Sequence, residues 1–109
     1  MSAKRAKNGI NTRRFAKYFR AFSDTTRLKI LSLLADKELT VNEIVAAVGL
    51  SQPAVSRHLG ILREAEVVHD RREGQKVYYS LNREAVGNCC CGFCDCLEVP
   101  VIGVRKKKK

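Results

Sequence analysis

The sequence predicts a mainly helical domain carrying one β-hairpin, arranged as a winged helix-turn-helix and dimeric. Three observations predict it. Two short capped helices meet at a tight turn around Gly49, and Ser51 opens the second of them. Two amphipathic stretches precede that pair. After it, over residues 66–81, the helical period gives way to two β-prone runs around a polar segment containing Gly74. At 109 residues there is room for one domain and a modest core.

Residues 1–10 are basic and aperiodic, and read as a flexible arm. From Asn11 a helix carries Phe15, Phe19 and Phe22 at i, i+4 and i+7, with Tyr18 beside them. A small domain rarely hides so much aromatic surface from an N-terminal helix, so packing on a second subunit is expected. Ser23-Asp24 caps the next helix. Its stripe of Leu28, Leu31 and Ala35, widened by Ile30, Leu33 and Leu34, predicts a mostly buried element. Asp36-Lys37-Glu38 is the break.

Thr40-Val41-Asn42-Glu43 spells a capping box, in which threonine and glutamate each satisfy the other's backbone N–H. The helix it opens turns Val41, Ile44, Val45 and Val48 inward, and Gly49 ends it. Ser51 caps the following helix, and Pro53 sits in its first turn, where a missing N–H costs nothing. Val55, Leu59 and Leu62 form an apolar stripe. Gln52, Ser56, Arg57 and His58 form the other face, a hydrogen-bonding mix suited to base edges in a major groove. A solvated amphipath would explain this helix alone equally well. The capped partner and the hairpin favour DNA.

Val67-Val68 and Val77–Leu81 flank the polar run His69–Lys76, and the hairpin's tip is expected to hold Arg71, Arg72 and Lys76. Such a wing lies along phosphates or enters a minor groove, whereas plain solvation is the ordinary use of a charged tip. A last helix starts after Asn82 as Arg83–Val86 and runs into Gly87-Asn88 and the cysteines. The chain thus divides into an arm (1–10), a DNA-binding and dimerisation domain (11–88), and a cysteine-rich segment, expected to bind a ligand, with a basic tail (89–109).

The net charge of +10 is unevenly spread. The first twenty residues hold seven basic side chains and no acid, and the last five are RKKKK. The remaining 84 residues carry nine basic and eleven acidic side chains, a net of −2. The charge therefore speaks for two arms able to add phosphate contacts, or for solvated tails, and not for a basic core. No apolar run approaches the ~18 residues that read as a membrane span, and no signal-type segment is expected, which predicts a cytoplasmic protein with reduced thiols.

All five cysteines fall between Cys89 and Cys96. A disulfide framework spreads its cysteines along the chain and pairs them, so this cluster points to a soft metal or metalloid. Zinc or cadmium would take four thiolates. An iron–sulfur cluster is crowded in CCCGFCDC, and thiol oxidation is a further possibility. Cys91-Gly92-Phe93-Cys94 has the spacing of thiol reductases, yet no βαβ unit surrounds it. With no Ser/His/Asp set, phosphate-binding glycine loop or paired carboxylates, no enzyme is expected.

Taken together, AFSDTTRLKILSLL at 21–34, ELTVNEIVAAVGLSQPAVSRHLGILREAEVV at 38–68 and REGQKVYYSLN at 72–82 resemble the ArsR (ArsR/SmtB) family of metal- and metalloid-responsive repressors. The resemblance implies a homodimeric winged helix that holds a palindromic operator and releases it when inducer binds. It also implies that the helix from Ser51 reads DNA through Ser51, Gln52, Ser56, Arg57 and His58. Members sense at different places. One group carries cysteines where this chain has Thr40 and Asn42. The zinc sensors use Asp, His and Glu on the last helix, where this chain has no histidine. A third group has a vicinal cysteine pair with another six residues on, as in Cys89-Cys90 and Cys96. The resemblance therefore implies trivalent arsenic, or antimony, bound by Cys89, Cys90 and Cys96. On a straight helix Cys89 and Cys96 stand ~10.5 Å apart along the axis, so binding is expected to reorganise the segment, with Gly92 allowing a reversal.

Overall fold

The computed structural model describes residues 11–100. The basic arm at 1–10 and residues 101–109, with the RKKKK run, lie outside the described residues. The elements run α1 (Thr12–Phe22), α2 (Thr25–Leu34), β1 (Leu39–Thr40), α3 (Val41–Val48), α4 (Gln52–Glu64), β2 (Val68–Glu73), β3 (Lys76–Leu81) and α5 (Arg83–Cys96). The strands form one antiparallel sheet in the order β1-β3-β2. This is the winged helix-turn-helix the sequence predicts.

Local chemistry sets the helix boundaries. Asn11 and Asp24 accept from Arg14 N and Arg27 N at the starts of α1 and α2. At α3 the full capping box forms: Thr40 N donates to Glu43 Oε1 at 2.9 Å and Glu43 N to Thr40 Oγ1 at 3.2 Å. Gly49, at φ +74°, ends α3 in the left-handed region where a side chain is strained. The ends of α4 and α5 use a glutamate in that place. Glu66 (φ 65°) and Glu98 (φ 61°) follow the two C-caps, and each end closes with the paired backbone bonds of a Schellman turn. These are Glu66 N to Arg63 O and Val67 N to Leu62 O in α4, and Glu98 N to Asp95 O and Val99 N to Cys94 O in α5. Asn82 pins the first of these turns, since its side chain donates to Glu66 O at 2.9 Å and also caps α5.

Ile30, Ile44, Val55, Leu59, Leu62 and Val67 form the centre of the core, with Tyr18, Tyr79 and Cys89 at its edges. The helix α2 buries a different stripe from the one expected. In α2 the inward residues are Arg27, Ile30 and Leu34, while Leu28 is 51% exposed and Ala35 is exposed. In α1 they are Tyr18 and Ala21, and the phenylalanines are only partly covered. The helix α2 is apolar around much of its circumference, so its phase is set by what faces it.

Two further differences bear on the site. β1, unexpected from the sequence, pairs Leu39 with Tyr79 and Thr40 with Tyr78. And α5 does not stop near Asn88 but continues unbroken to Cys96, so no structural break falls between residues 88 and 89. Packing sustains it. Ala85 and Cys89 are buried, and the Phe93 ring sits 5.2 Å from Phe15 and 4.9 Å, edge-on, from Phe19. Gly92 is helical there, with the Phe15 ring 3.8 Å from where its Cβ would stand.

Candidate nucleic-acid interface and thiol segment

The helix α4 presents the two faces its sequence predicts. Ser51 Oγ accepts from Ala54 N, and Val55, Leu59 and Leu62 are buried. Gln52, Ser56 and Arg57 are exposed. His58 differs from them. It is half-buried and turned toward the chain itself, with Nδ1 3.1 Å from Arg27 Nη1 and 3.8 Å from the Asp24 carboxylate. The Asp24 carboxyl is held below its ordinary range, chiefly by the hydrogen bond it accepts from Arg27 N.

The wing also differs from expectation. β2 and β3 pair through Glu73 and Lys76, so the turn shrinks to Gly74 (φ 65°) and Gln75. Arg71, Arg72 and Lys76 therefore lie in the strands, not at the tip. Cross-strand pairing puts Arg71 opposite Tyr78 and Arg72 opposite Val77, on opposite faces. Arg71 is heavily engaged. Nη2 and Nε reach the two Glu38 oxygens at 2.8 and 2.9 Å, Nη1 reaches Glu73 at 3.0 Å, and the guanidinium lies 4.7 Å from the Tyr78 ring centroid. The hydrogen bonds to Glu38 and Glu73 raise the arginine's pKa, and that from Arg71 lowers Glu38's. A groove of about 460 Å³ between the start of α3, Gln52 and the wing brings Gln52 and Lys76 onto one rim.

Two of these groups escaped the sequence reading. In the sequence Glu38 marks only a helix break, because its partner is 33 residues away. Arg27 sits in a leucine-rich stretch whose periodicity assigns it no role. The available signal was an arginine at N3, directly behind the Asp24 cap.

Helical geometry splits the thiols of α5. Cys89 is fully buried and Cys90 exposed; Cys91, Cys94 and Cys96 are half-buried. Cys89 and Cys96 are two turns apart. Cys94 neighbours both Cys90 (i, i+4) and Cys91 (i, i+3). Among the described residues no three His, Cys, Asp or Glu side chains converge as a metal site, so the set Cys89, Cys90 and Cys96 is not gathered while α5 is helical. Burial, with the neighbouring Cys90, raises the Cys89 thiol to about 11.

The sequence profile described as "Bacterial regulatory protein, arsR family" matches residues 24–70, from the Asp24 cap into β2. The transcriptional repressor SdpR of Bacillus subtilis is 50% identical over 64 residues, covering 59% of this chain and 71% of that one. The chain belongs to the arsR family. The arsenic resistance transcriptional regulator ArsR1 of Pseudomonas putida is 49% identical over 67 residues, 61% of this chain but only 52% of its own length. Among solved structures, HlyU from Vibrio cholerae superposes with a TM-score of 0.66 at 34% identity, covering 76% of this chain and 91% of that one. This arsR-family chain is thus a DNA-binding transcriptional regulator and not an enzyme. Among the described residues no helix is long and apolar enough to cross a membrane. The profile match ends before α5, so the thiol segment lies outside the matched residues.

Proposed function

We propose that the chain is a homodimeric repressor that holds a palindromic operator through α4 and the wing, and releases it when trivalent arsenic or antimony binds the α5 cysteines. The observation that carries this reading is a helix with five thiols leaning, through Phe93, on the first helix of a helix-turn-helix domain. Gln52, Ser56 and Arg57 supply exposed groups for base edges, with Ser51 at the helix start. Arg72 and Lys76 supply cations for phosphate, and Arg71 joins them once phosphate displaces Glu38. Partly exposed Phe19, with Leu97 at 52% and Val99 at 48% exposure, favours a second copy over the α1–α5 face.

A trivalent arsenic hydroxide condenses with three thiols to give three As–S bonds and three waters, with no net proton release. Such chemistry suits a thiol whose burial disfavours the thiolate. A divalent ion requires deprotonated ligands, which Cys89 resists. The ligand set Cys89, Cys90 and Cys96 requires the last turns of α5 to unwind, which would free Phe93 from α1. A second set is favoured by one observation: Cys94 neighbours Cys90 and Cys91 on the intact helix. Fluorescence anisotropy with promoter DNA, with and without arsenite, tests the function. DNA binding that ignores arsenite removes the inducer assignment; absence of DNA binding removes the repressor. Serine at Cys89 or Cys96, against serine at Cys91 or Cys94, then separates the two ligand sets. Retained DNA release only in the second pair assigns Cys89, Cys90 and Cys96.

A further inference from the structure

We propose that Arg27 is the positioning residue of the recognition helix: it ties the end of α1 to α4 and fixes the His58 ring so that Nε2–H is the donor left for a base edge. The proposal rests on operator binding by α4, as argued above.

Arg27 is 8% exposed and is the one buried charged residue among the described residues. A buried guanidinium is costly unless its donors are met. Here Nε donates to Ala21 O at 3.0 Å and Nη2 to Arg20 O at 3.1 Å. Both carbonyls lie at the C-terminal end of α1, where the helix dipole is negative and favours a cation. The third contact, Nη1 to His58 Nδ1 at 3.1 Å, crosses to α4. One planar, rigid group on α2 thus joins the end of α1 to a residue of α4 that is 31 positions from Arg27 in the chain.

The contact also decides the proton on the ring. A guanidinium has donors only, so Nδ1 must accept, and a neutral imidazole that accepts at Nδ1 carries its hydrogen on Nε2. The Asp24 carboxylate, 3.8 Å from the same nitrogen, is too distant to take a hydrogen bond from it in this arrangement, and is engaged by Arg27 N at 3.1 Å. No partner within the described residues holds Nε2. A fixed N–H donor in a major groove meets acceptors on guanine, adenine or thymine and finds none on cytosine. His58 then disfavours cytosine at one position of each half-site, and Arg27 sets that preference without touching DNA.

The test uses a duplex selected from a random pool by the wild-type chain, with every single base-pair substitution measured for wild type, Arg27→Gln, His58→Ala and the double variant. Each single change is expected to weaken binding about tenfold, the size of one lost base contact, and both should erase the preference at the same position. The double variant should be no weaker than the worse single one, because both remove one contact. A roughly hundredfold loss in the double variant, or an Arg27→Gln effect spread evenly over all positions, overturns the proposal. Arg27→Lys, which keeps the charge but not the three-way contact, serves if the glutamine variant does not fold, and must lose the same position's preference. Ring nitrogen chemical shifts of His58 in the free wild-type protein test the tautomer independently: Nε2–H is expected, and a proton on Nδ1 overturns the proposal. A wild-type chain that enriches no duplex overturns the operator reading and with it the base preference, while the tautomer result still decides the Arg27 contact.

Discussion

Replacing Phe93 with alanine probes both the fold and the switch. Phe93 stands between Cys91 and Cys94, and its ring meets Phe15 at 5.2 Å and Phe19 at 4.9 Å. A fully buried Phe→Ala change costs ~3–5 kcal/mol, and Phe93 is half-buried, so about 2 kcal/mol is expected. Two aromatic pairs at ~0.5–1.5 kcal/mol each lead to the same range. In a domain of this size that corresponds to a drop in Tm of ~8–16 °C. Urea unfolding at fixed protein concentration measures it, concentration being fixed because the chain is proposed to dimerise. The second half of the prediction concerns inducer. If arsenite binding unwinds the end of α5, the wild type must give up these ring contacts, whereas the variant has lost them already. Phe93→Ala should then bind arsenite more tightly, by up to ~30-fold for 2 kcal/mol. A destabilisation below ~0.5 kcal/mol would refute the α1–α5 lock. Full destabilisation with arsenite affinity unchanged or weaker would refute unwinding and leave Cys90, Cys91 and Cys94 as the better ligand set.

Further outcomes follow from the same contacts. Cys89 is neutral and buried, with its thiol raised to about 11. An unfolded thiol ionises near ~8.5, so the unfolded chain loses this proton first and stability should fall as pH rises from ~8.5 toward 11. Unfolding midpoints for Cys89→Ala should lack that alkaline fall. Glu38→Gln removes a carboxylate whose pKa Arg71 lowers. Its contribution is present above the ordinary glutamate range and lost as pH falls through the lowered folded value, so the variant should show a smaller acid-side loss in a pH series of melts. The same variant frees Arg71 for phosphate, and should bind DNA more tightly at low salt with a steeper salt dependence. Gly49→Ala meets open space but keeps φ +74°, so strain alone should destabilise by ~1 kcal/mol, readable as a lower Tm.

Much of the fold was legible because its signals are local. Asp24, the Thr40–Glu43 box, Gly49 and Ser51 act over three or four residues, and each behaves in the structure as the sequence implies. The stripe of Val55, Leu59 and Leu62 was legible because the opposite side of α4 is polar. The stripe of α2 was not, since Leu28, Ile30, Leu31, Leu33 and Leu34 nearly encircle the helix. The extent of α5 was not legible either. Gly87, Gly92 and five cysteines are poor helix formers, and only contact with α1 makes that segment continue to Cys96.

The candidate site divides in the same way. That α4 would turn Gln52, Ser56 and Arg57 outward was readable from the chain, as was a thiol cluster with the chemistry of a soft metalloid. That His58 would be held by Arg27 and Arg71 by Glu38, and that the thiols would lie split around one helix, was not. Sequence alone determined the caps, the periods and the inventory of donors and sulfurs, because these are properties of residues within one turn of each other. Tertiary structure decided helix phase and which charged side chains are already engaged, because those depend on partners some thirty residues away that meet only when the helices pack.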